Sequence, residues 1–219
     1  MRRTLIAIAV LLFASVAFGA EAAPPEMPAE AAIPWGWWAL GFLGGLVALA
    51  FALVFFKSMM KASEGDETMR TIAGHVRDGA NAYLRRQYRV VAIVFVILFL
   101  ILGFLAFGLR VQALWVPFAF LTGGFLSGLC GLLGMRTATY ASARTANAAK
   151  DSLNSALQIA FRSGAVMGLI VVGFNLLNIT VWFLFLFKGL PWLHGVFPSV
   201  ELFEPLSLVE ITVTSWACG

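Results

Sequence analysis

Four long apolar runs alternate with polar segments along this chain. The runs occupy residues 35–57, 90–109, 113–134 and 164–187. Each is close to the roughly 20 residues that an α-helix needs to cross a bilayer. The pattern therefore predicts an all-α fold, a polytopic membrane helix bundle with four transmembrane helices.

Composition supports a membrane location. Of the 219 residues, 61% are hydrophobic and 12% are charged, about half the charged fraction of roughly 25% in soluble domains. A net charge of +4 could indicate nucleic-acid binding, but the basic residues gather in two segments between the apolar runs. We therefore expect the lipid bilayer as a partner and no nucleic acid.

The distribution of basic residues predicts an orientation. The segments 58–89 and 135–163, with their immediate edges, hold Lys57, Lys61, Arg70, Arg77, Arg85, Arg86, Arg89, Arg136, Arg144, Lys150 and Arg162. The opposite side holds only Arg110 and Lys188. Because cytoplasmic loops carry the excess of Lys and Arg, we expect both segments to be cytoplasmic and the mature N-terminus to be outside. The expected location is the cell (inner) membrane, with several passes.

The two ends of the chain give separate expectations. Residues 1–22 have the basic start, apolar stretch and small residues of a signal peptide, with cleavage after Gly19 or Ala22; an uncleaved anchor helix is the alternative. Residues 23–34 predict an external Pro-rich linker. Residues 188–219 predict an external loop and the start of a fifth helix, since the apolar part is too short to span.

Both basic segments have helical character. In 58–89, apolar residues recur at helical spacing after Ser63 or Asp66, either of which is a plausible N-cap. This predicts an amphipathic helix that leads into the second span. In 135–163, small residues continue the third span and begin the fourth, which predicts a helical hairpin reversing near residues 150–153.

Glycine pairs four residues apart occur in three of the spans. In lipid, helices associate through close backbone approach at small residues. We therefore assign a helix-packing role to the pairs Gly41/Gly45, Gly124/Gly128 and Gly164/Gly168.

Charged clusters offer few candidates for chemistry. Four basic residues could bind phosphate, although topology and contact with lipid headgroups explain them at least as well: Arg136, Arg144, Lys150 and Arg162. Four acidic residues could bind Mg²⁺, but their interleaving with arginines favours capping or salt bridges: Glu64, Asp66, Glu67 and Asp78. His75 and His194 have no second ligand at metal spacing.

Two stretches resemble one family. Residues 64–89, EGDETMRTIAGHVRDGANAYLRRQYR, resemble the segment after the first helix of membrane-bound, ion-pumping inorganic pyrophosphatases. Residues 120–173 are similar to the same family through ordered matches such as Gly134-Met135, Arg144-Thr145-Ala146, Ala160-Phe161-Arg162 and Gly164-Ala165-Val166-Met167-Gly168. The resemblance covers residues from about 35 to 175.

The resemblance implies a function for a larger protein. Members of the family hydrolyse pyrophosphate with Mg²⁺, pump protons or sodium ions outward, and form homodimers. Residues 36–187 correspond to the first four, peripheral helices of the family's bundle. The pyrophosphate-binding signature, of the type DVGADLVGKVE, is absent from this sequence. We therefore assign no catalytic, substrate-binding or metal-binding residue, and expect Mg²⁺ to bind outside this chain; no motif distinguishes H⁺ from Na⁺ transport or reveals K⁺ dependence.

The chain departs from the family after residue 187. We expect an N-terminal portion of such a pump, ended by truncation, frameshift or gene-prediction error, and inactive by itself. Asn175 and Asn178 also stand where a small residue is expected. The alternative is a non-catalytic membrane scaffold or assembly subunit.

Overall fold

The computed structural model describes residues 35–196 and 206–216. The expected signal peptide and linker, 1–34, lie outside these residues, as do 197–205 and 217–219. All regular structure in the described part is helical, in six α-helices: α1 Trp35–Met60, α2 Glu67–Gly103, α3 Val116–Asp151, α4 Leu153–Leu184, α5 Leu190–Val196 and α6 Leu208–Trp216. Wider π-helical turns follow α2 at Phe104–Gly108 and α4 at Phe185–Gly189.

Four of the helical segments are long and apolar enough to cross a membrane. They are Trp35–Met60, Glu67–Gly108, Val116–Asp151 and Leu153–Val196. This confirms the prediction of an all-α fold with four potential transmembrane helices. The described helices are longer than the predicted spans because α2, α3 and α4 continue without a break into the segments that carry the basic residues.

Neighbouring helices define the order α1–α4–α3–α2 across the bundle. The largest helix contacts are between α1 and α4 and between α3 and α4, and α2 packs on α3. In the segment Glu67–Gly108, which comprises α2 and its π turn, only 6% of the residues in the apolar stretch are buried. Most of the Val, Ile and Leu side chains of α2 therefore face outward. Such a surface is stable in lipid, where exposed apolar side chains carry no penalty.

Close approach of α1 and α4 depends on two glycines. A Cβ on Gly45 would lie 3.1 Å from the carbonyl oxygen of Gly173, and a Cβ on Gly173 would lie 3.1 Å from that of Gly45. Gly41 approaches α4 as well, with 3.3 Å between its would-be Cβ and Cγ2 of Thr180. The two backbones are therefore in direct contact at the level of Gly45.

The contact between α2 and α3 uses aromatic residues over glycine. Phe95 stacks on Phe120 with 4.6 Å between ring centroids, and its ring occupies the space where Gly124 would carry a Cβ. The Tyr88 hydroxyl donates a hydrogen bond of 2.6 Å to the Gly128 carbonyl. A Cβ on Gly128 itself would meet no described atom within 4 Å.

The third predicted glycine pair has a different environment. A Cβ on Gly164 or Gly168 would meet no atom within 4 Å in the described part of the chain. Both residues are exposed on α4. Their helical spacing places them on one face, but this face contacts none of the described helices closely.

The fourth apolar run extends beyond its predicted end at residue 187. The chain stays helical through the π turn Phe185–Gly189 and into α5. Pro191 has no N–H to donate to the preceding turn, and π turns and proline are common causes of irregularity within long helices. Helix α6 then packs mainly against α4, with Ile211, Thr214 and Ser215 buried.

The Gly45 contact yields a stability prediction. Gly45→Ala should destabilise the bundle by roughly 1–3 kcal/mol because the added methyl group overpacks the α1–α4 contact. Gly168→Ala is the matched control, since its methyl group would meet open space and alanine favours helix by up to about 1 kcal/mol. Reversible unfolding in detergent micelles measures both. Equal stability of the two variants would contradict the close contact.

Candidate functional site

Several polar residues of the described structure interact with one another where α3 extends beyond its apolar half. There the loop of residues 61–66 between α1 and α2 runs against α3. Arg144 is only 7% exposed. Its Nε donates a hydrogen bond of 3.0 Å to the Ala62 carbonyl, and its Nη1 donates one of 2.7 Å to the Tyr140 carbonyl one turn earlier. Arg144 therefore joins the loop to α3.

Glu64 lies between two guanidinium groups. Its Oε1 is 2.8 Å from Nη1 of Arg144 and also accepts a hydrogen bond from Nη2 of Arg77 on α2. The Arg77 guanidinium lies 4.5 Å from the centroid of the Tyr140 ring, and that of Arg144 lies 5.9 Å from it. We refer to Glu64, Arg77, Tyr140 and Arg144 as the Glu64 cluster, which connects the loop, α2 and α3.

The loop beside this cluster requires glycine. Gly65 has a backbone φ of 89°, a conformation that residues other than glycine rarely adopt. A Cβ there would also lie 2.7 Å from Oδ1 of Asn147. Asn147 in turn donates a hydrogen bond of 3.5 Å to the Ser63 carbonyl. The backbone of the loop thus lies directly on the surface of α3.

Asp66 forms a second, exposed ion pair with α3. It occupies the N-cap position of α2, which was one of the two alternatives expected, although its side chain makes no capping hydrogen bond. Instead its Oδ2 accepts a hydrogen bond of 2.9 Å from Nζ of Lys150. That hydrogen bond, together with the positive charge of Lys150, lowers the pKa of Asp66 below its ordinary value.

The four basic residues considered as a phosphate site have different surroundings. Arg144 is buried in the Glu64 cluster and Lys150 is paired with Asp66. Arg136 is exposed at the edge of a cavity, and Arg162 is half-buried on α4. The four basic residues thus have separate surroundings in the described part of the chain. A phosphate site shared by them stays a prediction from the sequence.

The cavity beside Arg136 has a volume of about 830 Å³. It lies among α1, α2, α3 and α4, and its lining includes Arg77, Asp78 and Arg136 as well as apolar residues of α1 and α4. Within residues 35–196 and 206–216, no group of three or more His, Cys, Asp or Glu side chains could hold a metal ion. The arrangement suits ion pairing and binding of an anion.

Sequence reasoning missed the Glu64–Arg144 interaction and the role of Tyr140. Glu64 and Arg144 are 80 positions apart along the chain. The sequence pattern related Glu64 only to nearby arginines on α2, and of its two partners this includes only Arg77. One available signal was the spacing of Tyr140 and Arg144, which places them one turn apart on a helix of otherwise small residues. A large aromatic and a guanidinium on such a helix indicate a local interaction site.

Comparisons with known proteins point to one family. A model of the family described as inorganic H⁺ pyrophosphatase matches residues 46–209, which include the whole Glu64 cluster. The match continues past residue 187, where the sequence had been expected to depart from the family. A putative K⁺-stimulated pyrophosphate-energized sodium pump of Bacteroides thetaiotaomicron is 53% identical over 177 residues, 81% of this chain and 23% of that protein. A K⁺-insensitive pyrophosphate-energized proton pump of Methanosarcina mazei is 43% identical over 137 residues, 62% of this chain and 20% of that protein.

The chain thus spans about a quarter of the length of the first of these relatives and a fifth of the second. A K⁺-stimulated pyrophosphate-energized sodium pump of Thermotoga maritima gives the same picture, with 38% identity over 151 residues, 67% of this chain and 20% of that protein.

The Glu64 cluster yields a second stability prediction. Glu64→Gln should destabilise the chain by about 3–5 kcal/mol, because it leaves the buried Arg144 without its counter-charge. The matched control is Asp66→Asn, which removes a carboxylate from the exposed pair in the same loop and should have a much smaller effect. The free energy of unfolding in micelles is the quantity to measure for both variants. Equal losses of stability in Glu64→Gln and Asp66→Asn would show that the buried position of Arg144 does not make its ion pair more important than the exposed one.

The exposed pair yields a prediction about titration. Lys150→Ala should raise the pKa of Asp66 toward 3.8, measured by carboxyl ¹³C NMR, whereas Lys61→Ala should leave it unchanged. Because the native pKa of Asp66 is lowered, its contribution to stability is complete above the unfolded-state pKa of about 3.9 and is lost as the pH falls through the native value. An unchanged pKa in Lys150→Ala would exclude the pair in solution.

Proposed function

This chain belongs to the inorganic H⁺ pyrophosphatase family, and on that premise we propose that it forms the N-terminal, four-helix portion of a pump that couples pyrophosphate hydrolysis to export of H⁺ or Na⁺. The observation that carries the proposal is the family match over residues 46–209. It extends through both basic segments as well as the apolar runs, so it reflects more than shared hydrophobicity. One relative is named as a pyrophosphate-energized sodium pump and another as a pyrophosphate-energized proton pump.

In this proposal the chain supplies peripheral helices, while hydrolysis takes place on helices that it does not contain. The DVGADLVGKVE-type signature is absent from residues 1–219. The acidic residues that are present also fit a cation poorly. Glu64 lies between the guanidiniums of Arg77 and Arg144, whose positive charge opposes binding of Mg²⁺. We therefore place Mg²⁺ and pyrophosphate outside this chain.

The Glu64 cluster then has a bracing role at the end of the bundle where hydrolysis would occur. It connects α2 and α3 through the loop of residues 61–66, and a rigid arrangement there would keep the peripheral helices in register with the catalytic ones. Buried ion pairs contribute to a unique arrangement in some proteins. This supports a structural contribution of the chain to catalysis that occurs elsewhere.

The proposed orientation places both basic segments in the cytoplasm and the start of α1 outside, in the inner membrane. Eleven basic residues in or beside these segments support it. Contacts of α1 with the end of α4 are consistent with two helix ends on one side: Lys188 lies 4.5 Å from the Trp35 ring centroid, and Trp38 donates a hydrogen bond of 2.9 Å to the Thr180 carbonyl. The complete pump would be a homodimer.

Split-protein complementation tests the proposal. We would coexpress residues 1–219 with the remaining C-terminal part of the Bacteroides thetaiotaomicron relative and measure Mg²⁺-dependent pyrophosphate hydrolysis by membranes, with and without K⁺. Together the two parts should hydrolyse pyrophosphate several-fold faster than the sum of each alone, because the peripheral helices complete the bundle. Loading vesicles with a pH-sensitive or Na⁺-sensitive dye identifies the exported ion.

Arg144→Ala and Arg70→Gln are the paired variants in this assay. Arg144→Ala should reduce the complementation because the loop loses its attachment to α3, whereas Arg70→Gln removes an exposed charge and should not. Association of the two parts without any hydrolysis would favour the scaffold alternative. Hydrolysis by residues 1–219 alone would place an active site within this chain and contradict the proposal.

A further inference from the structure

The cavity beside Arg136 has both apolar and polar lining residues. The apolar lining includes Leu53 and Phe56 of α1 and Ile170 of α4. The polar lining includes Asn81 of α2 and Arg136 and Thr139 of α3, near the start of the basic segment. A cavity with this mixed lining, at the edge of a membrane span, suits a molecule with an apolar chain and a polar head.

Charge in and around the cavity is positive. The guanidinium of Arg136 has neither an ion pair nor a hydrogen bond among the described residues, and it is exposed. Asp78 also lines the cavity, and the Glu64 cluster adjoins it through Arg77 and Tyr140. The three arginines Arg136, Arg77 and Arg144 thus face only two carboxylates, those of Asp78 and Glu64. One positive charge is left over, and Arg136 is the residue that can present it to a ligand.

We propose that this cavity binds one anionic phospholipid from the adjacent leaflet, with its phosphate on Arg136 and an acyl chain along Leu53, Phe56 and Ile170. Basic pockets between transmembrane helices are known to bind anionic headgroups, and arginine pairs geometrically with phosphate oxygens. The volume of 830 Å³ lies within the range of about 300–1,000 Å³ typical of pockets for small ligands.

Lipid retention provides the test. The full 219-residue chain would be reconstituted in nanodiscs of equimolar phosphatidylglycerol and phosphatidylcholine, extracted into mild detergent, and analysed by native mass spectrometry. Wild type should retain phosphatidylglycerol in preference to phosphatidylcholine. Arg136→Gln should weaken this retention about tenfold, the effect of losing one charge-assisted hydrogen bond.

Two further variants locate the site. Arg70→Gln removes one exposed positive charge from α2 outside the cavity, so it should leave retention unchanged. Ala80→Phe places a ring in the cavity and should displace the lipid while all charges remain. Equal loss in Arg136→Gln and Arg70→Gln would reduce the effect to general electrostatic attraction and overturn the proposal, as would unchanged retention in Arg136→Gln.

Soluble glycerophosphate distinguishes a lipid from a free phosphate. It lacks acyl chains, so an excess of it should not displace phosphatidylglycerol from wild type. Displacement at concentrations comparable to those of the lipid would show that the headgroup alone binds and would overturn the assignment of a phospholipid.

Discussion

Arg144 carries a permanent positive charge into the interior at the end of α3, and the local structure is organised around satisfying it. A guanidinium that is only 7% exposed needs acceptors, since an unpaired buried charge is strongly destabilising. Those acceptors come from Glu64 and Ala62 in the loop and from Tyr140 on α3. The loop can therefore adopt few other positions, and α2, which starts directly after it, is oriented by the same contacts.

The apolar parts of the helices are held together by a different principle. In lipid, burial of apolar surface gives little drive for association, so close backbone contact and hydrogen bonds are more important. Gly45 and Gly173 allow α1 and α4 to touch. At the end of the bundle away from Arg144, Trp182 donates a hydrogen bond of 2.7 Å to Oγ1 of Thr122, which joins α4 to α3. Polar bonding at both ends and glycine contact between them together fix the order of the helices.

Hydrophobic periodicity and length were sufficient to predict an all-α fold with four potential spans, because both follow from bilayer thickness. The partners of each helix could not be predicted in this way. Spacing shows that Gly164 and Gly168 share a face, but not whether that face meets another helix, and in the described structure it meets none closely. Gly173, which does contact α1, belongs to none of the glycine pairs identified from the sequence.

The candidate site was only partly accessible from the sequence for the same reason. Interleaved charges indicated that Glu64 and Asp66 would form salt bridges, and both do. Their partners on α3, Arg144 and Lys150, are each more than 75 positions away, and only the tertiary arrangement of the loop brings them together. Tyr140 gave no sign of its contact with Arg77, since nothing in local spacing relates residues on α2 and α3.

Disulfide cross-linking would test most directly whether Arg144 holds the loop on α3. Ser63→Cys and Asn147→Cys would be combined in a chain with Cys130 and Cys218 replaced by serine, and oxidation would be followed in native membranes. The contact between the Ser63 carbonyl and Asn147 predicts rapid cross-linking, which should become much slower when Arg144→Ala is added. The control pair combines Asn147→Cys with Ile72→Cys, at an exposed position of α2, and should cross-link slowly. Cross-linking at the same rate with and without Arg144 would show that the loop is held by other contacts.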